Sequence, residues 1–133
     1  MTEAPGPDGL ILFGHGSRDA GWHAPMQAVA RRVSQLEPGL QVICAYLELT
    51  SPDLPTAAAT LVSAGARTIR VLPVFLGMGR HAREDLPALV ESVRSQWPDV
   101  RFDLRPAVGT DRRVTDLLAA LALENEKAVR NAP

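Results

Sequence analysis

Two histidines come directly or shortly after long apolar runs of the chain, in glycine-rich segments. His15 has a glycine on each side and follows the apolar run 10–14, and His81 comes shortly after the apolar run 69–76. Because a glycine carries no side chain, the backbone can turn sharply there and a bulky ligand can approach the imidazole ring. This setting predicts that both imidazoles belong to a functional site rather than to the core.

A glutamate completes a set of donor side chains. Glu48 follows a third apolar run, residues 42–47. Neutral imidazole and carboxylate are ligands for a borderline divalent transition metal such as Co, Ni, Fe or Zn. With only two or three protein ligands the coordination sphere stays open, so the metal can exchange with a substrate. The three side chains therefore predict a site that binds a divalent metal loosely and passes it on.

Cationic and apolar side chains near the histidines indicate what else this site binds. Guanidinium groups pair with the carboxylates of a bound anion. Met78, between two glycines, is either a soft apolar wall for a flat ligand or merely exposed. A polycarboxylated ligand with metal-accepting nitrogens would use all of these features together. The arginines close to the histidines in sequence are Arg18, Arg80 and Arg83.

Several of these residues also have an ordinary structural interpretation. A glutamate at a strand end, such as Glu48, is commonly solvated or ion-paired. Arg18 and Arg80 could equally pair with Asp19 and Asp85 on the surface. The residue types and their spacing leave these alternatives open.

Other chemistry is disfavoured by the motifs. The segment around Ser17 is not a nucleophile elbow, because it lacks the glycine two residues after the serine and no acid partner is placed for a triad. It is not a phosphate loop either, because it has no Gly-Lys-Ser/Thr ending. His23 is expected to be structural or solvated, and Cys44, inside an apolar run, is expected to pack in the core.

Composition predicts one ordinary globular domain spanning residues 1–133, with flexible tails at 1–8 and 124–133. The chain is 46% hydrophobic and 22% charged, and its net charge of −1 argues against a nucleic-acid partner bound through a general basic surface. A single cysteine excludes an internal disulfide. No apolar run approaches the ~20 residues that span a bilayer, and the N-terminus has no basic start or apolar run. We therefore expect a cytoplasmic protein without a membrane partner.

Apolar periodicity and helix-start residues predict four strand–helix pairs in succession. Ser51 is expected to cap the second helix, and the third helix is expected to begin near residues 85–87. Residues 100–104 alternate apolar with charged, which is typical of an edge strand. Short connections between the pairs require an α/β fold with a parallel sheet and helices on both faces. The last helix carries an apolar face: Val114, Leu117, Leu118 and Leu121.

The predicted sheet explains why three strands end in chemically active side chains. In such sheets, ligands bind beyond the carboxyl ends of the strands, near the point where the strand order reverses. His15, Glu48 and His81 all follow carboxyl ends. If the first strand is central, with the second and third beside it, the three side chains converge on one crevice.

The motifs at these positions resemble a known family. From about Leu10 to Leu121, in order and spacing, the chain is similar to the short CbiX-type sirohydrochlorin chelatases, which are single-lobe relatives of the class II, ferrochelatase-like chelatases. The segments that carry the resemblance are Gly14-His-Gly-Ser-Arg-Asp19, Tyr46-Leu-Glu-Leu49 with Pro52-Asp-Leu-Pro55, Pro73-Val-Phe-Leu-Gly-Met-Gly-Arg-His81 and Glu84-Asp-Leu-Pro87.

The resemblance implies a fold, a reaction and a metal site. The fold is a three-layer α/β/α lobe whose four parallel strands run in the order 2-1-3-4. The reaction is ATP-independent insertion of Co²⁺ or Fe²⁺, with Ni²⁺ as a third candidate, into sirohydrochlorin in cobalamin or siroheme biosynthesis. His15 and His81 match the two histidines that bind the metal, and Glu48 matches the active-site glutamate. The metal is a substrate, and no tightly bound cofactor is expected.

The resemblance also implies how substrate and partner are bound. Longer relatives have two lobes that face each other across the tetrapyrrole cleft, so a one-lobe chain is expected to form a homodimer that rebuilds the cleft. A non-catalytic metal or tetrapyrrole carrier that uses the same crevice is the alternative. The residues expected to contact sirohydrochlorin are Ser17, Arg18, Met78, Gly79, Arg80 and Arg83.

Overall fold

The computed structural model describes residues 6–124, and in this part of the chain four strands alternate with four α-helices. Short 3₁₀ turns at Ala20–His23 and Val108–Thr110 precede the first and the last helix. The parts of the predicted tails at 1–5 and 125–133 lie outside the described residues. The elements are β1 (Gly9–Gly14), α1 (Ala24–Leu36), β2 (Gln41–Tyr46), α2 (Leu54–Ser63), β3 (Thr68–Pro73), α3 (Arg80–Gln96), β4 (Arg101–Leu104) and α4 (Arg112–Leu123).

The four strands form one parallel sheet in the order β2-β1-β3-β4, which confirms the predicted fold class. Strand β1 is internal, with Phe13 beside Ala45 of β2 and beside Pro73 of β3. Strand β4 forms the edge next to β3. The carboxyl ends of β1, β2 and β3 are therefore adjacent.

Helices cover both faces of the sheet, because successive residues of a buried strand point to opposite faces. Ile11 and Phe13 pack with α2 and α3 on one face, in a cluster that includes Leu54 and Val90. On the other face, Leu10 and Leu12 pack with Met26 of α1 and with Tyr46. This three-layer arrangement positions the ends of the internal strands. No helix within residues 6–124 has the length and apolar character required to cross a bilayer.

Asp53, not the predicted Ser51, caps α2. The Asp53 carboxylate accepts a hydrogen bond from the Thr56 backbone N–H at 2.9 Å, and the helix begins at Leu54. The segment contains two prolines that suit a first helical turn, Pro52 and Pro55, and the sequence gives no means of choosing between them. The hydrogen bonds from Thr56 also hold the pKa of Asp53 below its usual value.

Helix α3 begins at Arg80, five residues before the predicted start. The prediction used Pro87 as a first-turn proline, whereas Pro87 lies inside the helix. A proline there removes one hydrogen bond from the helix. Burial of Leu86 and Val90 on either side of it stabilises the helix more than that loss destabilises it. As a result, His81 lies in the first turn of α3 and not on a loop.

Asp8 is fixed to the sheet and does not belong to a loose tail. Its carboxylate accepts hydrogen bonds from the backbone N–H groups of Arg67 and Thr68 at 2.9–3.0 Å. Its own N–H donates to the Thr68 carbonyl. The predicted flexible segment at the N-terminus therefore ends before residue 8.

Candidate metal-transfer site

The carboxyl edge of the sheet holds an open cavity of about 650 Å³. His15 comes directly after β1, Glu48 comes two residues after β2, and His81 lies in the first turn of α3, which follows β3. The structure thus brings the three predicted donor residues to one cavity. Its walls also include Leu47, Phe75, Met78, Gly79, Arg80 and Asp85.

His15 and Glu48 are neighbours on the wall of this cavity. The distance from His15 Nε2 to Glu48 Oε1 is 3.5 Å, and the two side chains are 62% and 56% exposed. The ring of Phe75 meets the imidazole edge-on, with centroids 6.2 Å apart. An exposed pair of this kind contributes little to stability. Both groups therefore remain available to a ligand.

The loops that carry His15 and Glu48 are in direct backbone contact. The Glu48 N–H donates to the His15 carbonyl at 3.2 Å, and the Leu47 N–H donates to the Gly14 carbonyl at 2.9 Å. Gly16 has φ +97°, and a Cβ there would lie 1.8 Å from the Glu48 carbonyl oxygen. Only glycine fits this position. The close contact fixes the imidazole relative to the carboxylate.

A second link between these loops runs through Thr50, which sequence reasoning missed. The Ser17 N–H donates to Thr50 Oγ1 at 3.1 Å, and the Thr50 hydroxyl donates to the Ser17 carbonyl at 2.8 Å. His23 Nε2 lies 3.2 Å from both oxygen atoms. Since the Thr50 proton is used, we assign the donated proton to His23 Nε2. Ser17 and Thr50 are 33 residues apart, and no sequence signal pairs them.

His23 and Cys44 have the structural surroundings that the sequence predicted. The His23 ring packs against Tyr46 with centroids 4.7 Å apart. It thereby helps to hold the loop that carries His15 against the end of β2. Cys44 packs with the α1 face of the sheet, and burial raises the pKa of its thiol. A thiol with a raised pKa is a poor metal ligand at neutral pH.

The turn that precedes α4 contacts the segment before His81. The Gly109 N–H donates to the Phe75 carbonyl at 2.9 Å, and a Cβ on Gly109 would lie 1.7 Å from the Leu76 carbonyl oxygen.

Met78 is half-buried against the core and forms part of the cavity wall. Gly79 is the N-cap residue of α3 and provides no side-chain cap.

The predicted substrate-binding residues divide into two groups. Met78, Gly79 and Arg80 line the cavity, and Arg80 pairs with Glu84 at 3.2 Å rather than with an aspartate. Arg18 and Arg83 are exposed and do not line it. Ser17 does not line it either, and its hydroxyl accepts a hydrogen bond from the Asp19 N–H.

The cavity contains imidazole and carboxylate donors, but they do not form a complete metal-binding site. Among residues 6–124, no three His, Cys, Asp or Glu side chains are grouped closely enough to bind a metal ion together. His15 and His81 are both exposed, so either imidazole can take part in an open coordination sphere. Such a site suits a metal whose other ligands come from a second molecule.

Comparisons with known proteins find relatives of this chain among the sirohydrochlorin chelatases. The chain is 28% identical over 121 residues to the sirohydrochlorin cobaltochelatase of Sulfolobus acidocaldarius, which covers 91% of this chain and 92% of that relative. It is 29% identical over 112 residues to the sirohydrochlorin ferrochelatase of Priestia megaterium. That match covers 84% of this chain but 42% of the relative, so the chain spans less than half of that relative's length.

One solved structure has the same fold as this chain over almost the whole length of both proteins. A protein from Marinobacter aquaeolei, described as a CbiX protein of cobalamin (vitamin B12) biosynthesis, superposes with a TM-score of 0.76 at 27% identity, over 93% of this chain and 98% of that one. The family model named CbiX matches residues 9–125. With most of its length matched by that model, the chain belongs to the CbiX family.

Proposed function

We propose that this protein is a sirohydrochlorin chelatase that inserts Co²⁺ or Fe²⁺ into the macrocycle without ATP. The observation that carries the proposal is the position of His15, Glu48 and His81 around one open cavity at the carboxyl edge of the sheet. The relatives named as cobaltochelatase and ferrochelatase support the choice of reaction and of metals. Ni²⁺ would fit the same imidazole ligands.

The donor groups suggest how the metal and the protons move. His15 and His81 bind the incoming metal and leave its other positions open for the pyrrole nitrogens. Insertion releases two N–H protons from the macrocycle. Glu48 accepts one, and His15 Nε2, 3.5 Å from the Glu48 carboxylate, accepts the other once the metal has left the imidazole.

The macrocycle carries carboxylates, which require cations at the cavity. Arg80 lies on the cavity wall, and Arg18 and Arg83 are exposed, so these guanidinium groups are available to pair with the carboxylates. Met78 packs against the ring face, and Gly79 lets the ring approach the start of α3. The Ser17 hydroxyl, which accepts a hydrogen bond from the Asp19 backbone N–H, donates one to a substrate carboxylate.

The partner and the cellular setting follow from the same proposal. The cavity is open on one side, so a homodimer in which two cavities face each other would enclose the macrocycle. We place the protein in the cytoplasm, in cobalamin or siroheme biosynthesis. The Marinobacter protein with the same fold is described as a protein of the cobalamin pathway.

An absorbance time course tests the proposal. Sirohydrochlorin in large excess over the protein is mixed with Co²⁺ or Fe²⁺, and the metallated product is followed. We expect many turnovers per chain, and we expect His15→Ala and His81→Ala each to abolish them while the circular dichroism spectrum stays unchanged. Product that stops at one equivalent per chain would instead identify a metal or tetrapyrrole carrier. Full turnover in both variants would refute the site.

A further inference from the structure

Trp22 is a large apolar side chain that faces solvent near His15. It lies in the 3₁₀ turn before α1 and is 73% exposed. Hydrogen bonds hold this turn, because the Asp19 carboxylate accepts from the Gly21 N–H at 2.9 Å and His23 Nε2 lies 3.2 Å from Thr50 Oγ1. The backbone that carries the indole is therefore fixed, although the indole itself is open to solvent.

Trp22 shares a cavity with a second exposed apolar side chain. Leu76, which follows β3, is 68% exposed, and both residues line a cavity of about 370 Å³, here called the Trp22 cavity. The buried side chains of Met26, Tyr46 and Phe75 line it as well. Single exposed apolar residues are common on protein surfaces, but two of them beside buried apolar side chains form a patch that marks a binding site.

The Trp22 cavity adjoins the larger cavity that contains His81 and Glu48, here called the metal-transfer cavity. Three residues line both cavities: His15, Phe75 and Gly77. Trp22 lines only the first cavity, and His81 lines only the second. The His15 imidazole therefore lies at the boundary between the two.

The two cavities differ in charge. Glu48, Arg80 and Asp85 line the metal-transfer cavity, whereas no Asp, Glu, Lys or Arg among residues 6–124 lines the Trp22 cavity. An apolar cavity with an aromatic wall binds the flat face of a ring system, and it is a poor site for a metal ion or a carboxylate. The Trp22 cavity therefore suits the ring of a macrocycle and not its carboxylates.

The position of His15 explains why a macrocycle would reach both cavities. A metal enters the centre of the ring, so the ring extends outward from the metal on every side. With the metal on His15 and His81, one part of the ring lies over the metal-transfer cavity. The part beyond His15 lies over the Trp22 cavity, because His15 separates the two.

We propose that Trp22, together with Leu76, forms the apolar part of the macrocycle-binding surface and determines the affinity for sirohydrochlorin. The proposal rests on the chelatase function proposed above and adds a residue outside the cavity that contains His81 and Glu48. The indole contacts the ring face, and the carboxylates at the ring periphery extend past the open rim of the cavity. Trp22 supplies no metal ligand and no proton acceptor, so it affects binding of the macrocycle and not transfer of the metal.

Substitutions of Trp22 measure its contribution to affinity. We expect Trp22→Ala to raise KM for sirohydrochlorin, and the dissociation constant of the metal-free macrocycle, on the order of 10-fold with kcat unchanged, because the indole contacts the ring equally before and during insertion. Trp22→Phe should recover part of the affinity. Leu36→Ala is the matched control and should change neither constant, since Leu36 is 62% exposed but lines neither cavity. Circular dichroism melting confirms that each variant is folded.

Tryptophan fluorescence tests the contact directly, because the chain has two tryptophans. Trp97 follows the last residue of α3, so the seventeen residues of that helix, about 25 Å, separate it from the cavities. In Trp97→Phe the emission comes from Trp22, and saturating metal-free sirohydrochlorin should quench most of it. In Trp22→Phe the emission comes from Trp97 and should be quenched less. Equal quenching in the two variants would show that the ring does not contact Trp22.

The binding and turnover assays separate this proposal from the chelatase function. Wild-type turnover with an unaltered KM and dissociation constant in Trp22→Ala would overturn the role of Trp22 and leave the function intact. If the wild type binds sirohydrochlorin without turnover, the protein is a carrier, and weaker binding by Trp22→Ala would still support the role of Trp22. Loss of a dimer in Trp22→Ala, measured by sedimentation, with unchanged sirohydrochlorin binding would place Trp22 between two copies of the chain and overturn the proposal.

Discussion

The two histidines of the cavity are held in different ways. His15 stands on a loop whose position depends on contacts with the neighbouring loop after β2, through Gly16 and Thr50. His81 stands in the first turn of α3, where the helix itself sets its direction. A single substitution can remove a contact between two loops and so release the loop that carries it. A helix start belongs to a long cooperative unit, so one substitution disturbs it less. The His15 half of the site should therefore be the more sensitive to single substitutions.

The largest effect should come from Gly16→Ala. The new Cβ would lie 1.8 Å from the Glu48 carbonyl oxygen at φ +97°, so the two loops must separate. We expect unfolding free energy to fall by about 2–5 kcal/mol and chelation to be lost, because His15 and Glu48 move apart. Denaturant titration and the chelation time course measure the two effects. Gly39→Ala is the matched control, since a Cβ there meets nothing within 4 Å, and equal effects in both variants would contradict the interpretation.

Thr50→Val should disturb the surroundings of His15 and leave those of His81 unchanged. It preserves the shape of the side chain but leaves the Ser17 N–H, the Ser17 carbonyl and His23 Nε2 without their shared partner. We expect a loss of about 1–3 kcal/mol in stability and a roughly 10-fold fall in turnover. In NMR spectra the imidazole signals of His15 and His23 should shift and that of His81 should not.

Thr50→Ser provides the rescue for that variant, because it restores the hydroxyl. Turnover and the His15 signal should return close to those of the wild type. If the serine variant behaves like the valine variant, then the methyl group and not the hydrogen bonds positions the loop.

The same contrast explains what could be predicted from the sequence. The fold class and strand order were predictable, because unbroken apolar runs, short connections and a family resemblance all point to one parallel sheet. The convergence of His15, Glu48 and His81 was predictable, because parallel strands place their carboxyl ends at one edge. The Thr50 link was not, since it joins residues 33 positions apart through ordinary hydroxyl and backbone groups.

Helix starts were harder to predict than helices. The α3 start was placed too late, because local rules favour Pro87 in a first turn, whereas the helix has one more turn before it, in which Ala82 is buried. The apolar face of α4 was correctly identified. The sequence pattern suggested that it would cover the sheet, and only the structure shows that it does not pack there within its own chain.

Substitutions of Asp53, which caps the helix after the Glu48 loop, should have a smaller effect on stability. Asp53→Ala should cost about 1 kcal/mol at neutral pH, because the Thr56 N–H loses its acceptor. Its pKa is lowered in the folded protein by the hydrogen bonds from Thr56, so its charge stabilises the fold above the ordinary value of 3.8. That contribution is lost as pH falls through the lower, folded pKa. Asp53→Asn keeps a cap without the charge, so its difference from the wild type should shrink as pH falls below 3.8 and through the lowered folded pKa of Asp53; a constant difference would exclude the linkage.

Gly79→Ser gives the smallest effect and tests the His81 side. Gly79 has φ −66° and ψ 166°, an extended conformation open to any residue, and a Cβ there meets nothing within 4 Å. A serine would add the side-chain cap that α3 lacks, so thermal unfolding should show a gain of a few tenths of a kcal/mol. The chelation assay then decides why glycine is present. If turnover falls while stability rises, the substrate needs the space beside Gly79; if turnover is unchanged, His81 depends on the helix alone, and Gly79 has no part in binding the macrocycle.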